Sequence, residues 1–143
     1  MKAKRILVVE DDPDTRRFYN IVLQSKGYET FFAKDPLSCL WEAHKNRPDL
    51  ILLDIGLAAG DGFRAMEQLK TAAHLANIPI VVVSGRRPQE CEARALQSGA
   101  RAYLQKPMDQ THLLQLVAEL VGPGPGEVNV DCANARHLAE TDI

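Results

Sequence analysis

Cysteine is scarce in this chain, and its distribution excludes two classes of protein. The 143 residues include 3 cysteines, which lie far apart at Cys39, Cys91 and Cys132. An odd number of widely spaced cysteines without a Cys-x-x-Cys pair argues against a disulfide-stabilised secreted domain and against a structural zinc site. We therefore expect reduced thiols, as in a cytoplasmic protein.

Long apolar runs are also absent from the sequence. Its most apolar segments extend over four to six residues, such as residues 6–9 and 78–83, whereas a membrane-spanning helix needs about 20. The basic N-terminus leads directly into the first of these segments, which is too short to be the core of a signal peptide. The sequence therefore predicts no membrane association.

Neither sign of charge dominates the chain, whose formal net charge is −2. Residues 123–143 contain four acidic residues and one arginine, a net charge of −3, so −2 minus −3 leaves +1 on residues 1–122. A nearly neutral body offers no electrostatic surface for nucleic acid, and nothing after residue 121 has the pattern of a helix-turn-helix. We expect no direct binding to nucleic acid.

Five short segments have the composition of β-strands. Residues 6–9, 50–53 and 78–83 are almost continuously apolar, which is typical of strands buried on both faces of a parallel sheet. Residues 28–33 and 101–105 mix polar and apolar side chains, as edge strands do.

Helical patterns with clear ends separate these segments. Asp12 and Asp35 each precede a proline, the form of an N-cap followed by the first helical residue. Apolar residues at helical spacing mark the faces of four helices: Phe18, Ile21 and Val22; Leu37, Leu40 and Trp41; Phe63, Met66 and Leu69; Leu113, Leu116, Val117 and Leu120. Residues 88–98 are predicted to form a further helix, which Gly99 would end.

Strand and helix therefore alternate five times, which predicts an α/β fold with a doubly wound five-stranded parallel sheet in a three-layer sandwich. With the three apolar strands central, the expected strand order is 2-1-3-4-5, as in flavodoxin-like folds. We expect one domain over residues 1–121. The glycine- and proline-rich start of residues 122–143 predicts a flexible C-terminal extension or a truncated linker.

Reactive side chains follow four of these strands, at carboxyl ends that meet along one edge of the sheet. They are Glu10, Asp11 and Asp12 after strand 1, Asp54 after strand 3, Ser84 after strand 4, and Lys106 after strand 5. Crowded carboxylates favour a bound cation, and oxygen ligands suit Mg²⁺. A carboxylate is also a nucleophile toward phosphorus, and a lysine can neutralise the charge that a phosphoryl group adds. We interpret Asp12 as a helix cap.

The segments that carry these residues resemble the response-regulator receiver family of two-component signalling. The resemblance lies in residues 6–12, 48–54, 81–85 and 99–107, and it extends from residue 4 to about residue 121. The spacings agree as well, with 30 residues from Asp54 to Ser84 and 22 from Ser84 to Lys106.

The resemblance implies a CheY-like fold in which Asp54 is phosphorylated. It also implies a Mg²⁺ site formed by Asp11, Asp54 and the backbone carbonyl of Gly56, with Glu10 acting mainly through a metal-bound water. The donor would be a histidine kinase or a histidine phosphotransfer protein. No separate substrate would be turned over, so the chain would not be an enzyme beyond phosphotransfer to itself and autodephosphorylation.

The same resemblance implies a switch. Lys106 would pair with the phosphate, and its bond to Pro107 would be cis. Ser84 would move toward the phosphate and Tyr103 would turn inward, which would remodel the surface of helix 4, strand 5 and helix 5 for an unknown downstream protein.

Several positions depart from the family pattern. Ala58 stands where proline is common, and Gly85 where alanine is common. Gly56 and Arg86 occupy positions that tune phosphate lifetime, so we expect an unusual lifetime. Arg101 and Ala102 precede Tyr103 without the acidic residue of the dimeric transcription-factor branch, so we expect a monomer or a weak dimer.

Two alternatives remain at this point. A haloacid-dehalogenase-type aspartyl phosphatase also uses an aspartyl nucleophile, Mg²⁺, a hydroxyl and a lysine, and residues 12–15 faintly resemble its Asp-x-Asp motif. Its nucleophile follows strand 1, however, and not strand 3. A receiver-like scaffold that accepts no phosphate is the other alternative, which the complete acidic set argues against.

Overall fold

The computed structural model describes residues 3–56 and 62–124. Five strands and five helices alternate along these residues: β1 (Arg5–Val9), α1 (Pro13–Gln24), β2 (Glu29–Ala33), α2 (Pro36–Asn46), β3 (Leu50–Asp54), α3 (Gly62–Thr71), β4 (Ile80–Ser84), α4 (Pro88–Gln97), β5 (Ala102–Gln105) and α5 (Gln110–Val121). Residues 57–61 and 125–143 lie outside the described part of the chain, so the predictions for Ala58, Cys132 and most of the C-terminal extension (residues 122–143) fall there.

The five strands form one parallel sheet in the order β2-β1-β3-β4-β5, which confirms the predicted fold and topology. Every residue of β3 and β4 is buried, as continuous apolar runs predict for central strands. The edge strands β2 and β5 keep exposed or half-buried positions. The strand register places Val9 beside Leu53, so the chain leaves β1 and β3 at adjacent points of one edge.

The side chains of each central strand alternate between the two faces of the sheet. On one face the core includes Ile6, Leu52 and Val83 of the sheet, packed with residues of α1 and α5. On the other face it includes Leu7, Leu53 and Val82, packed with residues of α2, α3 and α4. The result is the predicted three-layer sandwich.

Helix caps hold two of the helices at the carboxyl edge of the sheet. The Asp12 carboxylate accepts a hydrogen bond from the Thr15 amide at 2.9 Å, and the Asp35 carboxylate accepts one from the Ser38 amide at 2.7 Å. The Ser38 hydroxyl in turn accepts a hydrogen bond from the Asp35 amide at 3.2 Å, which completes a capping box. Both predicted caps are confirmed.

Three apolar residues expected on the inner faces of helices lie outside the core instead. Ile21 is 62% exposed, Leu37 79% and Trp41 62%. Helix α2 faces the core with Cys39 and Ala43, both fully buried, and Leu37 and Trp41 lie one turn apart on the opposite side. The prediction was wrong for these three residues. The contact face of α2 consists of Cys39, Ala43 and the partly buried Leu40, and the buried residues of α1 are Tyr19, Val22 and Leu23.

The described cysteines, Cys39 and Cys91, are buried free thiols. Burial raises the pKa of the Cys39 thiol to about 12, so this thiol stays protonated. None of the helices in residues 3–56 and 62–124 has the length and apolar character needed to cross a membrane.

Candidate functional site

Three carboxylates converge where β1 and β3 end. Glu10, Asp11 and Asp54 each place one carboxylate oxygen within 4.8 Å of the others. Glu10 and Asp54 are 2% and 8% exposed, and Asp11 is half-buried. Adjacent parallel strands deliver these residues side by side, as the sequence predicted.

Lys106 follows the edge strand β5, and its side chain extends across the carboxyl ends of the strands to this cluster. Its Nζ donates to Glu10 Oε1 at 2.8 Å and to Asp54 Oδ2 at 2.9 Å. The backbone supports that reach, because the Lys106 amide donates to the Ser84 carbonyl at 2.7 Å. The Lys106–Pro107 peptide bond is cis, as expected. Lys106 therefore connects the ends of β1, β3 and β4.

The ionisation of the site reflects its burial and its excess of negative charge. Burial and the nearby Asp54 charge raise the pKa of Glu10 above its ordinary value, although the hydrogen bond from Lys106 opposes this. Burial lowers the pKa of Lys106, but its hydrogen bonds to Glu10 and Asp54 outweigh that effect, so the pKa is raised. One ammonium thus faces three carboxylates, and a second cation would relieve the repulsion between them.

The ligand atoms of this cluster suit Mg²⁺. All three side chains offer oxygen, Mg²⁺ prefers oxygen ligands, and it binds through a few carboxylates while keeping several waters. Asp11 is half-buried and so keeps some contact with solvent, which is compatible with waters on the ion. The residues present therefore fit the predicted ion.

Two contacts at this site were missed by the sequence reasoning. The Gly56 amide donates to Asp54 Oδ1 at 2.8 Å, which fixes the carboxylate that the sequence predicts as phosphoacceptor. The Glu10 side chain has a second attachment, since its Oε2 accepts a hydrogen bond from the Asp12 amide at 3.2 Å. Backbone donors of this kind leave no signal in the sequence. The Asp12 carboxylate itself is engaged with Thr15, which confirms its role as a cap.

Ser84 and Tyr103 meet at the backbone of one residue. Ser84 is 3% exposed, and its hydroxyl oxygen accepts a hydrogen bond from the Arg86 amide at 3.0 Å. The Tyr103 hydroxyl donates to the Arg86 carbonyl at 2.7 Å, and desolvation raises the pKa of Tyr103. The two residues expected to form the switch are therefore linked through the loop that follows β4.

The glycines near the site differ in the space around them. A Cβ at Gly56 would lie 3.4 Å from Asp54 Oδ1, whereas a Cβ at Gly85 would meet nothing within 4 Å. The lack of a side chain at Gly85 thus leaves open space beside Ser84. The effect of Gly56, Gly85 and Arg86 on phosphate lifetime stays a prediction.

A cavity of about 470 Å³ adjoins the site on the side of α1. Apolar residues form much of its wall, and Lys106 belongs both to this wall and to the acidic site. The lining residues are Asp14, Thr15, Phe18, Tyr19, Lys106, Pro107 and Met108. A partner that binds at this cavity would lie next to the acidic cluster.

Comparisons with known proteins agree with this geometry. The family model described as the response regulator receiver domain matches residues 6–118. The phosphate regulon transcriptional regulatory protein PhoB of Klebsiella pneumoniae is 37% identical over 112 residues, which cover 78% of this chain and 49% of that protein. The polar-differentiation response regulator DivK of Brucella anthropi is 30% identical over 119 residues, 83% of this chain and 97% of that protein. The chain thus spans about half the length of PhoB and nearly all of DivK.

Solved structures show the same architecture. The receiver domain of the sensor histidine kinase PA1611 from Pseudomonas aeruginosa, which has a magnesium ion coordinated in its active site cleft, matches with a TM-score of 0.77 at 27% identity, covering 85% of this chain and 99% of that one. The chemotaxis protein CheY4 of Vibrio cholerae matches with a TM-score of 0.78 at 25% identity, covering 83% of this chain and 99% of that one.

Proposed function

Because the chain belongs to the response regulator receiver domain family of two-component signalling, we propose that Asp54 accepts a phosphoryl group from a partner histidine kinase or a histidine phosphotransfer protein. One observation carries the proposal: Lys106 Nζ lies 2.9 Å from Asp54 Oδ2, inside a cluster of three carboxylates at the carboxyl edge of the sheet. This arrangement combines a nucleophile with the charges that its phosphorylation requires.

In the proposed step, an oxygen of the Asp54 carboxylate attacks the phosphorus of a phosphohistidine. The bond between phosphorus and the imidazole nitrogen breaks, the imidazole leaves with the electron pair, and an aspartyl phosphate remains. The Gly56 amide orients the carboxylate through Oδ1. The Lys106 ammonium, already beside Oδ2, pairs with the negative charge on the transferred group.

Glu10, Asp11, Asp54 and the backbone carbonyl of Gly56 are the proposed Mg²⁺ ligands, Glu10 acting mainly through a water. The closeness of the three side chains supports this assignment, as does the magnesium ion in the active site cleft of the PA1611 receiver domain. When bound, Mg²⁺ neutralises phosphoryl oxygens and screens the carboxylates from one another. Burial and the Asp54 charge raise the pKa of Glu10, so a bound cation would favour its ionised form.

Ser84 and Tyr103 are proposed to convert phosphorylation into a change of surface. A phosphate on Asp54 would attract the Ser84 hydroxyl away from the Arg86 amide. The Arg86 backbone would then no longer hold the Tyr103 hydroxyl, and the ring would turn inward. Phosphate contacts would thereby favour a conformation of α4, β5 and α5 that is otherwise a minor one, and this surface would bind the downstream protein.

The proposed chemistry is limited to phosphotransfer to the chain itself and autodephosphorylation, carried out in the cytoplasm by a monomer or a weak dimer. The aspartyl phosphatase alternative needs its nucleophile after the first strand, in an Asp-x-Asp motif. The candidate there is Asp12, whose carboxylate caps α1, while the residue beside the lysine is Asp54. No described contact favours the phosphatase.

The Asp54→Asn variant is expected to lose all phosphoryl incorporation, because the amide that replaces the carboxylate is not a nucleophile of comparable strength. The purified chain would be incubated with acetyl phosphate or a histidine kinase plus Mg²⁺, and acid-stable, base-labile phosphate would be quantified by intact-protein mass.

Asp35→Asn is the matched control, since it changes an aspartate at the same edge of the sheet and asparagine still caps a helix. Labelling of wild type and the control, with none in Asp54→Asn, supports the proposal. Undiminished labelling of Asp54→Asn, or an unlabelled wild type, contradicts it.

The Ser84→Ala variant is expected to separate phosphorylation from the movement of Tyr103. Alanine removes the hydroxyl that would respond to the phosphate but leaves Asp54 and Lys106 in place. Wild type should show a shift of the Tyr103 ring resonances in NMR spectra on addition of beryllofluoride or acetyl phosphate, and Ser84→Ala should show a much smaller one despite incorporating phosphate. An equal shift in both proteins would remove Ser84 from the switch.

A further inference from the structure

Two exposed histidines, 30 residues apart in sequence, meet on the surface. His44 lies in the last turn of α2, and His74 lies between α3 and β4. His44 Nδ1 is 2.6 Å from His74 Nε2. The ring centroids are 4.4 Å apart and the ring planes make an angle of 73°, so the two nitrogens face each other across an edge contact.

We propose that His44 and His74 form a binding site for a transition-metal cation of the Zn²⁺ or Cu²⁺ class. Imidazole nitrogen is a preferred ligand of these ions. Two nitrogens that each bind a tetrahedral Zn²⁺ at its usual bond length of 2.0–2.1 Å would be about 3.3 Å apart. To admit the ion, the exposed rings therefore need to separate by less than about 1 Å from their present contact and to turn so that both nitrogens point at the ion.

The protonation state of the two histidines and the charges around them determine how strongly they bind a cation. Desolvation, followed by the positive charges of His44 and Arg47, lowers the pKa of His74, which favours the neutral form of the imidazole that binds metal. Lys45 and Arg47 follow His44 in the chain and oppose a cation, and the remaining coordination positions would be filled by water. We therefore expect weaker binding than at a structural site with four protein ligands.

This site is separate from the acidic cluster. Helix α2 runs back from the carboxyl edge of the sheet, so His44 near its end lies toward the edge where the strands begin, whereas Glu10, Asp11 and Asp54 lie where β1 and β3 end. The ligands also differ, because the carboxylates suit Mg²⁺ and the imidazoles suit Zn²⁺ or Cu²⁺. Saturation with Mg²⁺ therefore leaves the histidine pair available.

The chain contains a built-in probe for this site. Trp41 is its one tryptophan, is 62% exposed, and lies three residues before His44 on the same side of α2. Bound Cu²⁺ quenches the fluorescence of a tryptophan this close. The thiol of Cys39 on the same helix is not a competing ligand, because it is buried and its raised pKa, about 12, keeps it protonated.

The test is a titration of the full chain with Cu²⁺ in excess Mg²⁺, followed by Trp41 fluorescence, together with Zn²⁺ titration by calorimetry. Wild type should show saturable quenching and Zn²⁺ binding. His44→Ala and His74→Ala should each weaken both by about tenfold or more, since even the loss of an outer-shell partner of a metal site costs that much.

His112→Ala is the matched control, since His112 is an exposed histidine on α5 and its loss should change neither signal. Circular dichroism would verify that each variant is folded. If wild type binds neither ion, or if both histidine variants bind as tightly as wild type, the pair is only a hydrogen-bonded contact and the proposal is wrong.

Discussion

Replacing Gly62 by alanine is expected to lower the free energy of unfolding by about 1–3 kcal/mol, the usual cost of an overpacked buried site. Gly62 is buried at the start of α3. A Cβ there would overlap the Cα of Ile55 and would lie 2.8 Å from the Asp54 carbonyl oxygen. Because these are backbone atoms and not flexible side chains, α3 has to move away from the end of β3 to admit the methyl group.

Urea denaturation followed by circular dichroism would measure this loss. Gly85→Ala is the matched control, because a Cβ at Gly85 meets nothing within 4 Å, and its unfolding midpoint should stay close to that of wild type. The same movement displaces the backbone of Asp54, so Gly62→Ala should also be phosphorylated more slowly. Equal stability of the two alanine variants would show that α3 accepts the methyl group without strain.

Replacing Glu10 by glutamine is expected to make the metal-free protein more stable at neutral pH. The folded-state pKa of Glu10 is raised by burial and by the Asp54 charge, so the folded chain holds its proton to higher pH than the unfolded chain does. Between the ordinary pKa of 4.5 and the raised folded value, the folded state binds more protons, and stability falls as pH rises. Ionised Glu10 thus costs about 1.4 kcal/mol for each pKa unit of the shift.

The measurement is the free energy of unfolding of wild type and Glu10→Gln between about pH 5 and pH 8 in a metal chelator, a range that begins above the unfolded pKa of a carboxyl group. The difference between the two proteins should grow with pH and then level off. Glu119→Gln, which changes an exposed glutamate on α5, should show no such trend. Added Mg²⁺ should stabilise wild type more than Glu10→Gln, and a pH-independent difference would show that Glu10 ionises normally in the fold.

The sheet, its order and the composition of the acidic edge could be predicted because local chemistry determines them. Apolar runs that end in acidic or hydroxyl residues specify both a buried strand and the reactive side chain at its carboxyl end, and Asp12 and Asp35 mark the starts of their helices through the proline after each. Parallel topology then brings distant strand ends together. The strand order alone therefore predicts that Glu10 and Asp54 lie side by side.

The features that could not be predicted depend on contacts between elements. Leu37 and Trp41 have the spacing of core residues, yet the small residues Cys39 and Ala43 face the core. The packing of α2 against the sheet determines which face is buried, and the periodicity of the helix alone does not. The hydrogen bonds to the Arg86 backbone have no sequence signature, since any residue supplies an amide and a carbonyl. The meeting of His44 and His74 likewise arises only when α2 and the segment after α3 are in position.

The two oxygens of Glu10 face different parts of the molecule. Oε1 accepts from Lys106, while Oε2 accepts from the Asp12 amide at the cap of α1. A cation that draws the carboxylate toward itself therefore also pulls on the first turn of α1, which borders the cavity beside the site. We therefore expect ion binding to shift the first turn of α1 slightly. A phosphodonor that docks beside the cavity would meet this changed surface before any phosphoryl group is transferred.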